Sequence, residues 1–338
     1  MIYPWQEGVW RRLMAARSLE RLPHALLLCG PSGSGTGDFA ETFATALLCT
    51  EPNAGGLPCG RCRPCRLVRA GTHPDLTNVA PEKEGAAIKV DQIRALNDKI
   101  GLHSYFGGFK VLLIDPAEAM NINAANSLLK NLEEPPSKTV FVLVCTQPGR
   151  LMATIRSRCQ RFTFQPAEDP TTIDWLRMGL PADQNAEVLL ALAEGGPLRA
   201  KEFVESGRNE IREQVLEGLV GLSRGTASPL ATAEQWLGFG AAEVLGWLTK
   251  FTTDLSVLAM SGEQRLIVNQ DFAERLQALV KGLNLRKLFS VYQNLLEFSQ
   301  YLKNSSGLRE LELLEEIAIK WVQEVSPPEV SIRERTAS

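Results

Sequence analysis

The chain has 338 residues, of which 44% are apolar and 22% charged, and its net charge is −3. That length holds two or three domains with real cores, and that composition excludes a disordered chain. No apolar run approaches the ~20 residues of a membrane span, and the opening MIYPWQEGVWRR has no secretory apolar core.

The expected compartment is therefore the cytoplasm, where cysteines are read as metal ligands or free thiols before disulfides. Residues 1–165 carry 19 Lys and Arg against 14 Asp and Glu, and residues 166–338 carry 17 against 25. Neither half is basic enough to argue for free-standing affinity for nucleic acid.

In chain order, residues 1–164 alternate apolar strand-like runs with helical periodicity, the pattern of a parallel α/β sheet. Strands are expected at 24–29, 75–79, 110–115, 139–145 and 161–164, and helices at 5–20, 37–48, 90–102, 118–134 and 150–158. The last three strands are short and apolar, as strands buried on both faces are. Gln165, Pro166 and Pro170 then punctuate the chain. Residues 170–206 read as a small helical unit. Beyond 208 the pattern is helical only, with one long stretch at 271–303 and a final helix at 308–325. The expected domains are 1–165 (α/β, with a cysteine module at 49–65), 166–207 (small and helical) and 208–326 (all-α), followed by a mobile tail at 327–338.

The first motif is HALLLCGPSGSGTG at 24–37. An apolar strand feeds a glycine-rich loop in the frame G-x-x-x-x-G-K-[ST] of a phosphate-binding loop. Gly30 and Gly35 hold the right spacing. The lysine that would reach the β- and γ-phosphates is replaced by Thr36, and the magnesium-linked hydroxyl by Gly37. Such a loop still turns and still has N–H groups, but it has lost its cation and its metal contact.

The second motif is metal-like: Cys59-x2-Cys62-x2-Cys65, with Cys49 ten positions earlier. Four thiolates close a tetrahedral structural zinc site and leave no position open for catalysis. Unmetallated cysteines and an iron–sulfur cluster are the alternatives. The cluster pattern wants a further cysteine where Arg69 stands. His73 is an alternative fourth ligand in place of Cys49. Arg61, Arg63, Arg66 and Arg69 decorate the module as a solvated basic face.

The third motif is the strand KVLLID ending at Asp115. In ATPases such an aspartate meets magnesium and a following glutamate serves the attacking water. Here Pro116 follows, and Glu118 reads as a helix-start residue placed to suit the macrodipole. The fourth motif is Ser157-Arg158-Cys159, at the end of a short helix before a strand. An arginine there either forms a surface salt bridge or serves the γ-phosphate of a neighbouring subunit.

Together, HALLLCGPSGSGTG, the four-cysteine insert, KVLLIDPAEAMNINAANSLLKNLEEPP and TIRSRCQRF resemble the bacterial replicative clamp-loader family of the AAA+ class, and within it the stator branch rather than the motors. The similarity is dense over residues 1–166 and weaker beyond. It implies an AAA+ sheet domain, a helical lid and a C-terminal collar that joins a hetero-pentameric ring with motor subunits and a delta subunit. It also implies no ATP site and no catalysis in cis, structural zinc on Cys49, Cys59, Cys62 and Cys65, and Arg158 as a trans arginine finger.

The indirect partners implied are the sliding clamp and primer–template DNA, at the replisome and with no membrane. Any nucleotidyl transfer belongs to the polymerase assembly. Thr146 matches a γ-phosphate-sensing position, and Arg199 falls where motors place a second sensing arginine, here without an expected role. The rival readings are an active motor of the same fold and a zinc-dependent DNA-binding protein.

Overall fold

A computed structural model describes residues 2–83, 85–100, 103–304 and 309–325. The chain divides into two compact units, residues 1–186 with 193–201, and residues 187–192 with 202–338.

The first unit is built on five parallel strands: β1 (Ala25–Cys29), β2 (Leu76–Val79), β3 (Lys110–Ile114), β4 (Thr139–Cys145) and β5 (Gln160–Thr163), in the order β2-β3-β4-β1-β5. β1 pairs β4 from Ala25↔Phe141 to Cys29↔Cys145 and pairs β5 from Leu26↔Gln160 to Cys29↔Thr163. Every residue of β1, β3 and β4 is buried. Their side chains alternate between two cores, as the period of two dictates. Leu27, Leu112, Phe141 and Leu143 pack against Ala124 and Leu128 of α5 (Ile122–Glu133) and Ile93 of α4 (Val90–Ile100). Leu26, Leu28, Val142 and Val144 pack against Leu13 of α1 (Glu7–Ser18) and Phe39 and Phe43 of α2 (Thr36–Leu48).

Two expected helix bounds are corrected. The helix placed at 118–134 begins only at Ile122, because Asn121 caps it by accepting the Ala124 N–H at 2.8 Å. Ala117–Ala119 instead forms one 3₁₀ turn. The helix placed at 150–158 shrinks to α6 (Ala153–Arg156). The cysteine module contains a helix, α3 (Arg63–Arg69), that starts at a proline in its first turn. Residues 101–102, residue 308 and the 327–338 tail lie outside the described residues. The segment 170–206 holds α7 (Pro170–Gly179), α8 (Ala186–Leu192) and α9 (Pro197–Glu205).

The second unit packs α10 (Arg208–Arg224), α11 (Pro229–Leu237), α12 (Ala241–Ser261), α13 (Ala273–Val280), α14 (Leu285–Asn304) and α15 (Glu310–Lys320). The long helical stretch at 271–303 holds two helices, broken at 281–284, where Gly282 interrupts and the Asn284 side chain accepts the Lys287 N–H at 3.2 Å. Its core includes Trp236, Phe251 and Trp321, the last donating to Ser223 Oγ at 2.7 Å.

Arg212 is buried at 2% exposure. Its guanidinium bonds Asn269 Oδ1 at 3.0 Å, ion-pairs with Asp271, and lies 4.2 Å from the Phe272 ring centroid. Removing one partner of such a pair strands the other. Arg212→Ala is expected to destabilise the protein by roughly 3 kcal/mol, read as a lower urea midpoint in the transition that reports Trp321 fluorescence.

Candidate functional site

The phosphate-type loop leaves β1 at Gly30 and enters α2 at Thr36, with Gly33 and Gly35 at φ of +77° and +72°. The loop is packed by the chain itself on its carbonyl side. Ser34 Oγ and Thr36 Oγ1 bond each other at 2.7 Å, both buried, and sit over Gly30: a Cβ there would lie 2.5 and 2.6 Å from them. On one side Trp5 Nε1 donates to the Ser34 carbonyl at 2.9 Å. Gln6 Nε2 reaches the carbonyls of Ser34 at 3.0 Å and Gly35 at 2.8 Å. The Tyr3 ring covers Gly35.

On the other side the Leu198 N–H donates to the Gly33 carbonyl at 2.9 Å, and a Cβ on Gly33 would lie 2.5 Å from Arg199 Cβ. A Cβ on Gly196 would run into the Ser32 carbonyl. Arg199, which had no role in the sequence reading, thus serves as backbone packing against the loop. Its guanidinium stands 3.9 Å from Glu194.

Asp115 follows β3 and points at the start of α2, where a Cβ on Gly37 would lie 2.8 Å from its Oδ2. A serine or threonine would place its hydroxyl near this spot. Burial raises the Asp115 pKa to about 6, helped by repulsion from Glu118, Glu41 and Asp38. No lysine stands in the loop to oppose this.

Glu118 does not start a helix. Its Oε1 accepts from Thr146 N at 2.8 Å, Thr146 Oγ1 at 2.6 Å and Gln147 N at 3.0 Å. Burial works against its charge, but the bonds from Thr146 outweigh burial and hold its pKa below the ordinary carboxylate value. The Thr146 hydroxyl, at the position matched to phosphate sensing, is therefore spent on an internal carboxylate. The sequence signal was available in principle, as an acid two residues past Pro116 facing the end of β4, but the pairing needs the sheet order to be seen.

Arg158 sits between α6 and β5. Its Nε donates to Glu133 Oε1 at 2.8 Å, its Nη2 pairs with the same oxygen, and its Nη1 donates to the Thr154 carbonyl at 2.9 Å. The side chain is 34% exposed. Ser157 Oγ donates to the Thr154 carbonyl at 3.1 Å. Cys159 packs against the core, and burial pushes its thiol up to about 12.

The four cysteines converge. The sulfurs of Cys49, Cys59, Cys62 and Cys65 all lie within 4.8 Å of one another, and Cys49 and Cys62 are 3.8 Å apart. Zinc–sulfur bonds of ~2.3 Å in a tetrahedron give sulfur–sulfur edges of ~3.8 Å, so the set fits that ion. The Cys59 and Cys62 amides donate to Cys49 Sγ at 3.4 Å and Cys59 Sγ at 3.3 Å, the bonds that favour thiolates. His73 is not in the cluster. Its Nδ1 accepts the Asp75 N–H at 3.1 Å and its ring lies against Phe106, 5.2 Å between centroids.

Family models described as DNA polymerase III, delta subunit, and DNA polymerase III, delta subunit, C terminal, match residues 5–168 and 206–323. The DNA polymerase III subunit delta′ of Pseudomonas aeruginosa is 36% identical over 96% of this chain and 99% of its own length. That of Yersinia pestis is 34% identical over 94% and 95%. Among solved structures, a DNA polymerase III gamma subunit-related protein of Thermotoga maritima aligns at a TM-score of 0.45 and 16% identity, over 92% of this chain and 99% of that one.

Two outcomes test the site. With its carboxyl held protonated to about pH 6 in the fold and ionised above roughly pH 4 when unfolded, Asp115 lowers stability as pH rises through that window. Asp115→Asn should therefore stabilise the protein at pH 8 by about 1 kcal/mol, after discounting for partial exposure, with the gain vanishing near pH 4. Thermal melts across pH read this directly. The purified chain should carry about one zinc, and Cys62→Ser should release it. Stoichiometric zinc retained in that variant, by elemental mass spectrometry, would refute the ligand set.

Proposed function

The chain belongs to the family of DNA polymerase III delta-prime subunits, and from that premise we propose that within a clamp loader it hydrolyses nothing itself and presents Arg158 to ATP held by a neighbouring motor subunit. The observation that carries the reading is the loop's missing cation: Thr36 stands where a lysine would reach the phosphates and Gly37 where a hydroxyl would hold magnesium. Tyr3, Trp5 and Gln6 pack against the loop, as do Gly196–Arg199, and the Thr36 hydroxyl is bonded to Ser34. A triphosphate there would meet no ammonium at position 36. The engaged Thr146 supports the same reading, since its hydroxyl bonds Glu118 at the position matched to γ-phosphate sensing.

In this reading the first unit supplies a fixed wall beside the neighbour's nucleotide. The Arg158 guanidinium stabilises charge on the γ-phosphoryl oxygens as it transfers, the role of a finger supplied in trans. ATP binding at that boundary favours a ring of five subunits, with motors, a delta subunit and this chain, that holds the sliding clamp open. Primer–template DNA then triggers hydrolysis and the clamp closes. The segment 166–207 acts as a lid and 208–326 as the collar that binds the ring together. Zinc holds residues 49–65 in shape and does no chemistry.

Arg158→Ala should leave ring assembly intact and slow hydrolysis at the adjacent site by ~10³-fold or more. The isolated chain should show no saturable ATP binding by calorimetry. Wild-type DNA-stimulated turnover in the Arg158→Ala loader would refute the finger, and tight ATP binding by the chain alone would refute the silent pocket.

A further inference from the structure

We infer that Glu133 is a positioning residue for Arg158, fixing the guanidinium so that its remaining N–H groups are presented ready-made to the neighbour's nucleotide. The inference rests on the finger reading above and adds a second residue to it.

Both ends of the pair are anchored. Glu133 is the last residue of α5, and Pro135 and Pro136 prevent the helix from continuing. Leu128 and Leu132 bury that helix in the core, and His24 Nε2 lies 3.0 Å from the Leu132 carbonyl. The Glu133 backbone therefore has little freedom. Arg158 follows the buried Ile155, whose carbonyl accepts the Arg158 N–H at 3.1 Å, and β5 begins two residues later.

A guanidinium has five N–H bonds. Glu133 Oε1 takes one from Nε and one from Nη2, and the Thr154 carbonyl takes one from Nη1. Two remain, one on each Nη, and both are free to donate to phosphate oxygens. The side chain is 34% exposed, so they are not sealed inside the protein.

A free arginine side chain carries rotamer entropy that must be surrendered when it engages. Three internal bonds surrender it before the neighbour arrives, which is how positioning lowers a barrier. The carboxylate also opposes the guanidinium's charge. That cost is the same before and during hydrolysis, whereas misorientation is felt most in the transition state.

The experiment uses the reconstituted loader with its sliding clamp and primed DNA, and reads ATP hydrolysis for Arg158→Ala, Glu133→Ala, Glu133→Gln and the double variant Glu133→Ala/Arg158→Ala. Glu133→Ala should lower kcat about tenfold with KM for ATP changed less than about twofold. Glu133→Gln keeps an Oε1 acceptor and should recover to within about threefold of wild type. The double variant should be no slower than Arg158→Ala alone, because the two residues act as one unit. A merely structural role for Glu133 would instead add its loss to that of Arg158→Ala.

Unchanged or faster turnover in Glu133→Ala, or additive losses in the double variant, would overturn the inference while a slow Arg158→Ala left the finger standing. A wild-type rate in Arg158→Ala would remove both. Melting temperatures of the isolated variants should shift by only a few degrees, as expected for a partly exposed pair, which separates misfolding from mispositioning.

Discussion

Packing of Ser32–Gly35 between two distant pieces of chain is the constraint on which the site depends. A phosphate loop gathers backbone N–H groups around an anion and uses a lysine to hold it. The lysine is absent here, and the loop's carbonyls, which no anion would use, are satisfied from within. Here the carbonyls of Gly33, Ser34 and Gly35 receive donors from Leu198, Trp5 and Gln6, and the hydroxyls of Ser34 and Thr36 satisfy one another. The positive φ at Gly33 and Gly35 has a second purpose beyond the turn. With no Cβ, both residues let neighbours approach the backbone closely, Arg199 at one and Tyr3 at the other.

Two carboxylates in the same small region show how local partners decide ionisation. Asp115 has burial and three acidic neighbours acting on it, and its pKa climbs to about 6. Glu118, three residues on, meets the Thr146 hydroxyl and the amides of Thr146 and Gln147 at the end of β4, and stays ionised more readily than a free carboxylate. The difference lies in hydrogen-bond donors, since both groups are partly removed from water.

Much of this was legible before any coordinates. The apolar runs at β3 and β4 read as strands buried on both faces and are so, whereas β5, read with them, lies at the edge of the sheet with only Phe162 buried. The spacing of Cys59, Cys62 and Cys65 announced a knuckle, and the sulfurs do converge with Cys49. What stayed hidden were relations between segments far apart in the chain. Glu118 read as a helix start because local electrostatics favours an acid there, yet a cap at Asn121 and a partner at Thr146 outweighed that preference. Residues 271–303 kept an apolar period through Gly282, and one glycine is a weak break signal when the pattern continues on both sides. Tyr3, Trp5 and Gln6 gave no sign of reaching the loop, because a side chain bonding to a carbonyl nearly thirty residues away leaves no mark on periodicity.

The strand β1 ends at the loop and is flanked by β5, with the Phe164 N–H bonded to the Cys29 carbonyl at 2.7 Å and Phe164 against Gly30. The mouth of the loop is thereby fastened to the neighbouring strand, so any side chain larger than a hydrogen at position 30 would press at once on Ser34, Thr36 and Phe164.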